Sequence, residues 1–293
     1  PCTGIFHTDF AKQAEKVIED SQVVDAVGHY INWFYSQMDE VLVPSQAYLM
    51  QLSDQGLDRS RMKRFHRGLD TRFQHRDSAT METVRKRYFS GGRATLFYAG
   101  RLEKEKNLDQ LANLFAKLQE EAIPVQLILA GEGSERQTLE NRLSPYSKNV
   151  VFLGRVERED LKAFYHLADL LIFPSTTDTF GMTVLEAQTL GLPALVSREG
   201  GPQEIIINGK TGYALESDKP KDWLDTCRSL LEMRRKNPDA YQAWRDEIKA
   251  IFATRSSWES LIDDITEKRK RVADPQKGFR TPEPTQSGES TRE

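Results

Sequence analysis

Only two cysteines, Cys2 and Cys227, occur in 293 residues. They are too few for a disulfide framework and lack the spacing of a metal site. That usage leads us to expect a reducing, cytoplasmic setting. Long apolar runs are also missing. The longest, near Val125–Ala130 and Leu170–Phe173, are strand-sized, far short of the roughly 20 residues a membrane-spanning helix needs. Neither sign of charge dominates. With 41 Lys and Arg against 44 Asp and Glu, the net charge is −3, so no basic field argues for nucleic acid. No internal repeat is found. What remains is 38% hydrophobic and 29% charged, the balance of an ordinary soluble globular chain, and its length fits two domains better than one.

From about Ala94 a regular alternation begins. Strand candidates at 94–100, 125–131, 149–154, 169–175, 193–197 and 212–215 are apolar and short. Between them lie helical stretches at 108–121, 134–143 and 158–168, then a helix of about nine residues ending at Gly191 and Pro193. The stretch "PQEII" (202–206) falls in the same series, and a longer helix covers about 220–233. Leu108, Leu111, Phe115 and Leu118 show the helical spacing of a buried face. Short buried strands alternating with helices imply βαβ crossovers and a parallel sheet covered on both faces: an α/β protein. Residues 1–80 read as part of a second α/β unit, with strands at 3–6 and 40–45, a weaker one at 61–68, and two helical stretches between the first two. Two or three strands cannot cover such a sheet, so we expect further strands upstream of Pro1. The polar segment near 72–93 ends in Gly-Gly and suits a hinge, placed at 81–93. Residues 94–240 then form the second domain. The composition after about Lys268 predicts a disordered tail over 268–293; its "KRKR" reads as a solvated helix end. No G-x-G-x-x-G follows the first strand of either half, which argues against a Rossmann dehydrogenase.

In open α/β sheets, ligands bind beyond the carboxyl ends of the strands. Four loops at that rim are rich in glycine and charge. "GRLEKEKN" (100–107) holds Arg101 and Lys106 in a glycine turn, a fork of donors and a mobile point charge that suit a diphosphate; pairing with Glu103 and Glu105 is the plainer alternative. "AGEGSE" (130–135) and "LGRVERED" (153–160) follow the next two strands. "TTDTFGMTVLEAQTLGLP" (176–193) follows the fourth. The amides of Gly181, Met182 and Thr183 at that helix start form an anion site. Glu186 lies about 7 Å further along, and its side chain leans back toward the helix start. That separation matches the step from a diphosphate to a ribose, whose hydroxyls a carboxylate can accept. Asp178 would then face the group beyond the phosphates. The alternatives are an N-cap for Asp178 and a salt-bridged Glu186.

These motifs resemble the family 4 glycosyltransferases over about residues 1–265. The most specific element is the family's pair of acids separated by seven residues, here Asp178 and Glu186, with Asp where Glu is usual. The resemblance implies a retaining enzyme of GT-B fold, with two Rossmann-like domains: a complete C-terminal donor domain and a partial N-terminal acceptor domain lacking its start. Arg101 and Lys106 inherit the diphosphate role. Glu132, Arg155 and Val156 inherit weaker nucleotide-side roles. "GIFHTDF" (4–10) resembles the first-domain loop, with His7 facing the donor sugar; a structural histidine is the plainer reading. "LVPS" (42–45) and "HRGLD" (66–70) match the end of the first domain, and 241–267 the helices that cross back toward it.

The activity implied is transfer of a hexose from a nucleotide diphosphate sugar to the hydroxyl of a lipid or glycan, with no cofactor and no essential metal. The "HTDF" form resembles members that glycosylate lipids, which implies peripheral contact with the inner membrane face as one option. Other readings on the same residues are a sugar-nucleotide epimerase and a non-catalytic nucleotide-binding or interaction module. A phosphorylase of this fold would need a pyridoxal-binding lysine, which no sequence context singles out.

Overall fold

The computed structural model describes residues 2–253 except 66, 67, 70–72, 74–76, 90 and 91, and leaves out the side chains of Lys16 and Val17. The first half runs β1 (Thr3–Ile5), α1 (Phe10–Val17), α2 (Ser21–Ser36), β2 (Glu40–Val43), α3 (Gln46–Asp54) and β3 (Met62–Arg64). The three strands form a parallel sheet in the order β1-β2-β3. Each helix starts at a side chain that accepts a backbone N–H of its first turn: Asp9, Asp20 and Ser45. Among the described residues, eight buried ones, including Phe6, Val41, Val43, Tyr48 and Leu52, make the core of this half. No residue of α2 is fully buried, and Tyr30, Trp33 and Phe34 on it are exposed. The weak strand expected at 61–68 is present as β3.

The span expected as a hinge at 81–93 falls largely on a helix. Helix α4 (Ser78–Tyr88), capped by Asp77, fills most of that span and packs against α7 of the second half. Its apolar stripe of Met81, Val84 and Tyr88 is one residue wide, so the segment reads as polar although it is helical. Arg85, Lys86 and Arg87 in the last turn favour the negative end of the helix dipole.

The second half follows the expected alternation: β4 (Ala94–Ala99), α5 (Leu108–Glu120), β5 (Val125–Ala130), α6 (Arg136–Leu143), β6 (Val150–Gly154), α7 (Arg158–Leu167), β7 (Leu170–Phe173), α8 (Met182–Thr189), β8 (Ala194–Ser197), β9 (Gly212–Leu215), α9 (Pro220–Lys236) and α10 (Pro238–Ala253). "PQEII" instead holds a 3₁₀ turn, Pro202–Glu204. Strands β4, β5, β7 and β8 are buried throughout, as a parallel sheet covered on both faces requires. The six-stranded order is β6-β5-β4-β7-β8-β9, and all pairings are parallel. Counted from β4 this is 3-2-1-4-5-6, the doubly wound order, which reverses between β4 and β7.

The far end of this sheet is tied by buried polar contacts. Asp169 accepts the Thr95 amide at 2.7 Å and pairs with Arg234, while its own carbonyl accepts from the Tyr241 hydroxyl at 2.6 Å. Arg245 on α10 donates to the carbonyls of Tyr165, His166, Ala168 and Gly191, at 2.8–3.4 Å. It thereby closes the C-terminal ends of α7 and α8, whose last carbonyls have no helical partner. Helix α10 packs on α8 and α9 of its own half. Of the crossing segment expected at 241–267, only the part up to Ala253 is described. The tail at 268–293, and most of "HRGLD", lie outside the described residues.

Candidate active site

The strand-order reversal places the loops after β4 and β7 side by side. There a cleft opens, bounded by the loop after β4, the loop after β7 with the start of α8, and residues of the first half. Its volume is about 240 Å³, and its walls include Arg101, Lys106, Asp178, Gly181, Met182 and Thr183. His7 lines the same cleft from the first half. The two cations and the α8 amino end thus come together, as the motifs require.

Several bonds set this geometry. Gly100 has a φ of +155°, and a Cβ there would stand 2.9 Å from the Tyr98 hydroxyl. That hydroxyl donates to the Arg101 carbonyl at 2.8 Å, and burial pushes its pKa well up. Arg101 is 62% exposed and pairs with the buried Glu105 at 2.7 Å. Lys106 is buried on the 3₁₀ turn Lys104–Lys106, its Nζ 3.1 Å from Asp178 Oδ2. The Thr177 hydroxyl donates to the Glu105 carbonyl at 3.2 Å, stitching the two loops together.

The N-cap position itself is held by Gly181, not by Asp178. Its Oδ1 accepts from the amides of Phe180 (3.2 Å) and Gly181 (2.8 Å), so it caps the approach to α8, while Oδ2 meets Lys106. Gly181 has a φ of +94°, and a Cβ there would press on Pro202 at 3.0 Å, so glycine is required both by conformation and by space. The loop after β8 supports this region from behind. The Gly201 amide donates to the Asp178 carbonyl at 2.9 Å, and a Cβ at Gly201 would lie 2.1 Å from the Thr179 carbonyl oxygen.

Glu186 sits inside α8 with little exposure. It accepts from the Tyr165 hydroxyl at 3.1 Å and faces Arg158 at 3.5 Å. Burial raises its pKa; Tyr165, Arg158 and Lys162 oppose that rise without cancelling it. Arg158 also lies over the Phe73 ring. Glu132, Arg155 and Val156, like Glu186, do not line this cleft, although the Glu132 carbonyl accepts the Leu102 amide at 2.9 Å beside Arg101. Glu132 pairs with Arg136 beside Gly154, and Val156 packs on the main core. The structure adds Thr177, Thr179, Tyr165, Arg158 and the Gly200–Gly201 turn. The last carries a readable signal, a glycine pair following a strand at the same rim. The first four carry none, because a threonine in a loop or a tyrosine on a helix is ordinary. Among the described residues, no group of three or more His, Cys, Asp or Glu side chains could hold a metal ion, and no helix is long and apolar enough to cross a membrane.

The family model for glycosyl transferases group 1 matches residues 81–250. The chain belongs to the group 1 glycosyltransferases. A GDP-mannose-dependent alpha-mannosyltransferase of Mycolicibacterium smegmatis is 30% identical over 219 residues, 74% of this chain and 55% of the relative. A protein of the same name from Corynebacterium glutamicum is 25% identical over 90% of this chain and 60% of its own length. The Arabidopsis thaliana sulfoquinovosyl transferase SQD2 is 28% identical over 78% of this chain and 44% of its own. The chain thus spans 60% or less of these curated relatives. Among solved structures, HepE of Anabaena in complex with UDP and glucose superposes with a TM-score of 0.76 at 18% identity, covering 92% of this chain and 71% of that one. The group 1 chain therefore shares the GT-B fold.

Proposed function

We propose that this group 1 chain binds a nucleoside diphosphate hexose and takes part in retaining transfer of the hexose to an acceptor hydroxyl. One observation carries the reading: Arg101, Lys106 and the amino end of α8 line a single cleft at the strand-order reversal. In it the diphosphate lies against the start of α8 at the amides of Met182 and Thr183, the Gly181 amide being held by Asp178, with Arg101 and Lys106 on its oxygens. The ribose reaches Glu186, and the hexose projects between Asp178 and His7. Cleavage of the bond from the anomeric carbon to the β-phosphate oxygen leaves charge on the phosphate and oxocarbenium character on the sugar. The cations and the helix start meet the first; each well-placed donor of this kind contributes roughly 3–4 kcal/mol. In our reading the acceptor oxygen bonds the anomeric carbon from the leaving-group side and its proton passes to the departing phosphate, so no carboxylate nucleophile is needed. Donor class is supported by relatives named as GDP-mannose-dependent and by a structural neighbour holding UDP.

Calorimetric titration with UDP, GDP and ADP tests the core of this reading. Saturable binding of one of them, lost in Lys106→Ala, is expected. Absence of binding to all three would sink it in favour of a module that does not take nucleotides.

A further inference from the structure

The loop after β8 also reaches the first half. Glu204, closing the 3₁₀ turn Pro202–Glu204, sends its carboxylate to the start of α3. Its Oε2 accepts the Gln46 amide at 2.9 Å and its Oε1 the Ala47 amide at 2.8 Å. These are the first two residues of α3, whose amides have no partner within the helix. Helix α3 has no acidic residue in its own first turn, so the charge that favours its positive end comes from the other half. Charged acceptors make bonds about twice as strong as neutral ones. Arg64, at the end of β3, stands 3.9 Å from the same carboxylate. Two neighbouring contacts run the same way. The Thr179 hydroxyl donates to the His7 carbonyl at 2.8 Å, and the Tyr48 hydroxyl on α3 donates to the Thr177 carbonyl at 3.3 Å. Thr177 and Thr179 flank Asp178.

We infer that Glu204 is a positioning residue that fastens the start of α3 to the donor loop and so holds His7 across the sugar subsite. The inference rests on the nucleotide-sugar reading above and adds a division of labour to it. Every group assigned to phosphate and ribose belongs to the second half, so a bare nucleoside diphosphate binds without the fastening. The hexose lies between Asp178 of one half and His7 of the other, so the intact donor depends on it. Glutamine cannot substitute fully, because its amide offers one acceptor oxygen and turns a donor toward a second donor.

The test compares wild type, Glu204→Gln and Glu204→Ala in the full chain. Hydrogen exchange at Gln46 and Ala47 reads the fastening directly. Calorimetry with UDP and GDP, then UDP-glucose and GDP-mannose, reads its effect. In Glu204→Ala the two amides are expected to exchange at least about tenfold faster, with Glu204→Gln between. Affinity for the nucleoside diphosphate stays within about twofold, while affinity for the nucleotide hexose falls about tenfold. Unchanged exchange would overturn the fastening. Equal weakening of both ligands, or of neither, would overturn the positioning role. A wild-type chain that binds none of the four would overturn the nucleotide-sugar reading instead, with hydrogen exchange still deciding the contact.

Discussion

Lys106 and Glu186 are both largely withdrawn from water, and that sets their chemistry. Replacing Lys106 by Ala removes the cation that pairs with Asp178 and lines the cleft together with Arg101. Donor turnover is expected to fall by about 10²–10³, measured as release of nucleoside diphosphate from the nucleotide sugar in the presence of acceptor. Glu186 carries a testable pH dependence. Burial raises its folded-state pKa, so the folded protein holds that proton more tightly than the unfolded chain does. Stability contributed by this group is present below the unfolded value and is lost as pH rises through the raised folded value. On the ribose role proposed for Glu186, the ionised carboxylate is the better acceptor, so donor affinity moves oppositely and weakens on acidification before an ordinary glutamate would titrate. Urea unfolding and calorimetry across that window should show the two trends crossing. In Glu186→Gln both should flatten, with weak donor binding at every pH.

At the level of elements, α8 depends on the glycines around its start. Gly201→Ala would drive a methyl group into the Thr179 carbonyl oxygen. A loss of about 1–3 kcal/mol in stability is expected from such overpacking, read as a lower thermal midpoint together with weaker nucleotide binding. How much of this was legible beforehand differs by element. The β4, β5, β7 and β8 strands and α5 announced themselves, because a strand covered on both faces must be mostly apolar and a packed helix must repeat its apolar residues. Arg101, Lys106, Asp178 and the α8 start were legible as a group, since chain order alone puts them in strand-end loops. Helix α4 was hidden by a stripe only one residue wide. Glu204 was hidden for a different reason: its partners are backbone amides 158 and 157 residues away, and backbone groups leave no trace in composition. Tyr165 likewise looks like any buried aromatic until its hydroxyl is seen on Glu186.

Across the whole molecule, the two halves are unequally built. Among the described residues, the first half has a core of eight buried residues under three short strands, and the second an extended core on six strands. Local stability follows such buried contact, so amides of β1–β3 are expected to exchange at lower urea than those of β4 and β5. Arg245 joins three segments of the second half through backbone carbonyls. Arg245→Ala leaves those oxygens without their donor, and a loss of about 3 kcal/mol or more in urea unfolding is expected, each unsatisfied group costing about 1–3 kcal/mol. Nucleotide affinity of the remaining folded fraction should stay the same, because Arg245 and Asp169 act at the opposite end of the sheet from Arg101 and Gly181. That separation bears on how such a protein can change over generations. In the proposed reading, the groups that meet the donor occupy one margin and the Arg245 and Asp169 ties occupy the other, while Gly201 and Glu186 are places where the two demands meet. New preferences can be explored at the first margin while the second stays untouched, which leaves a scaffold of this design free to diversify in what it recognises without first becoming fragile.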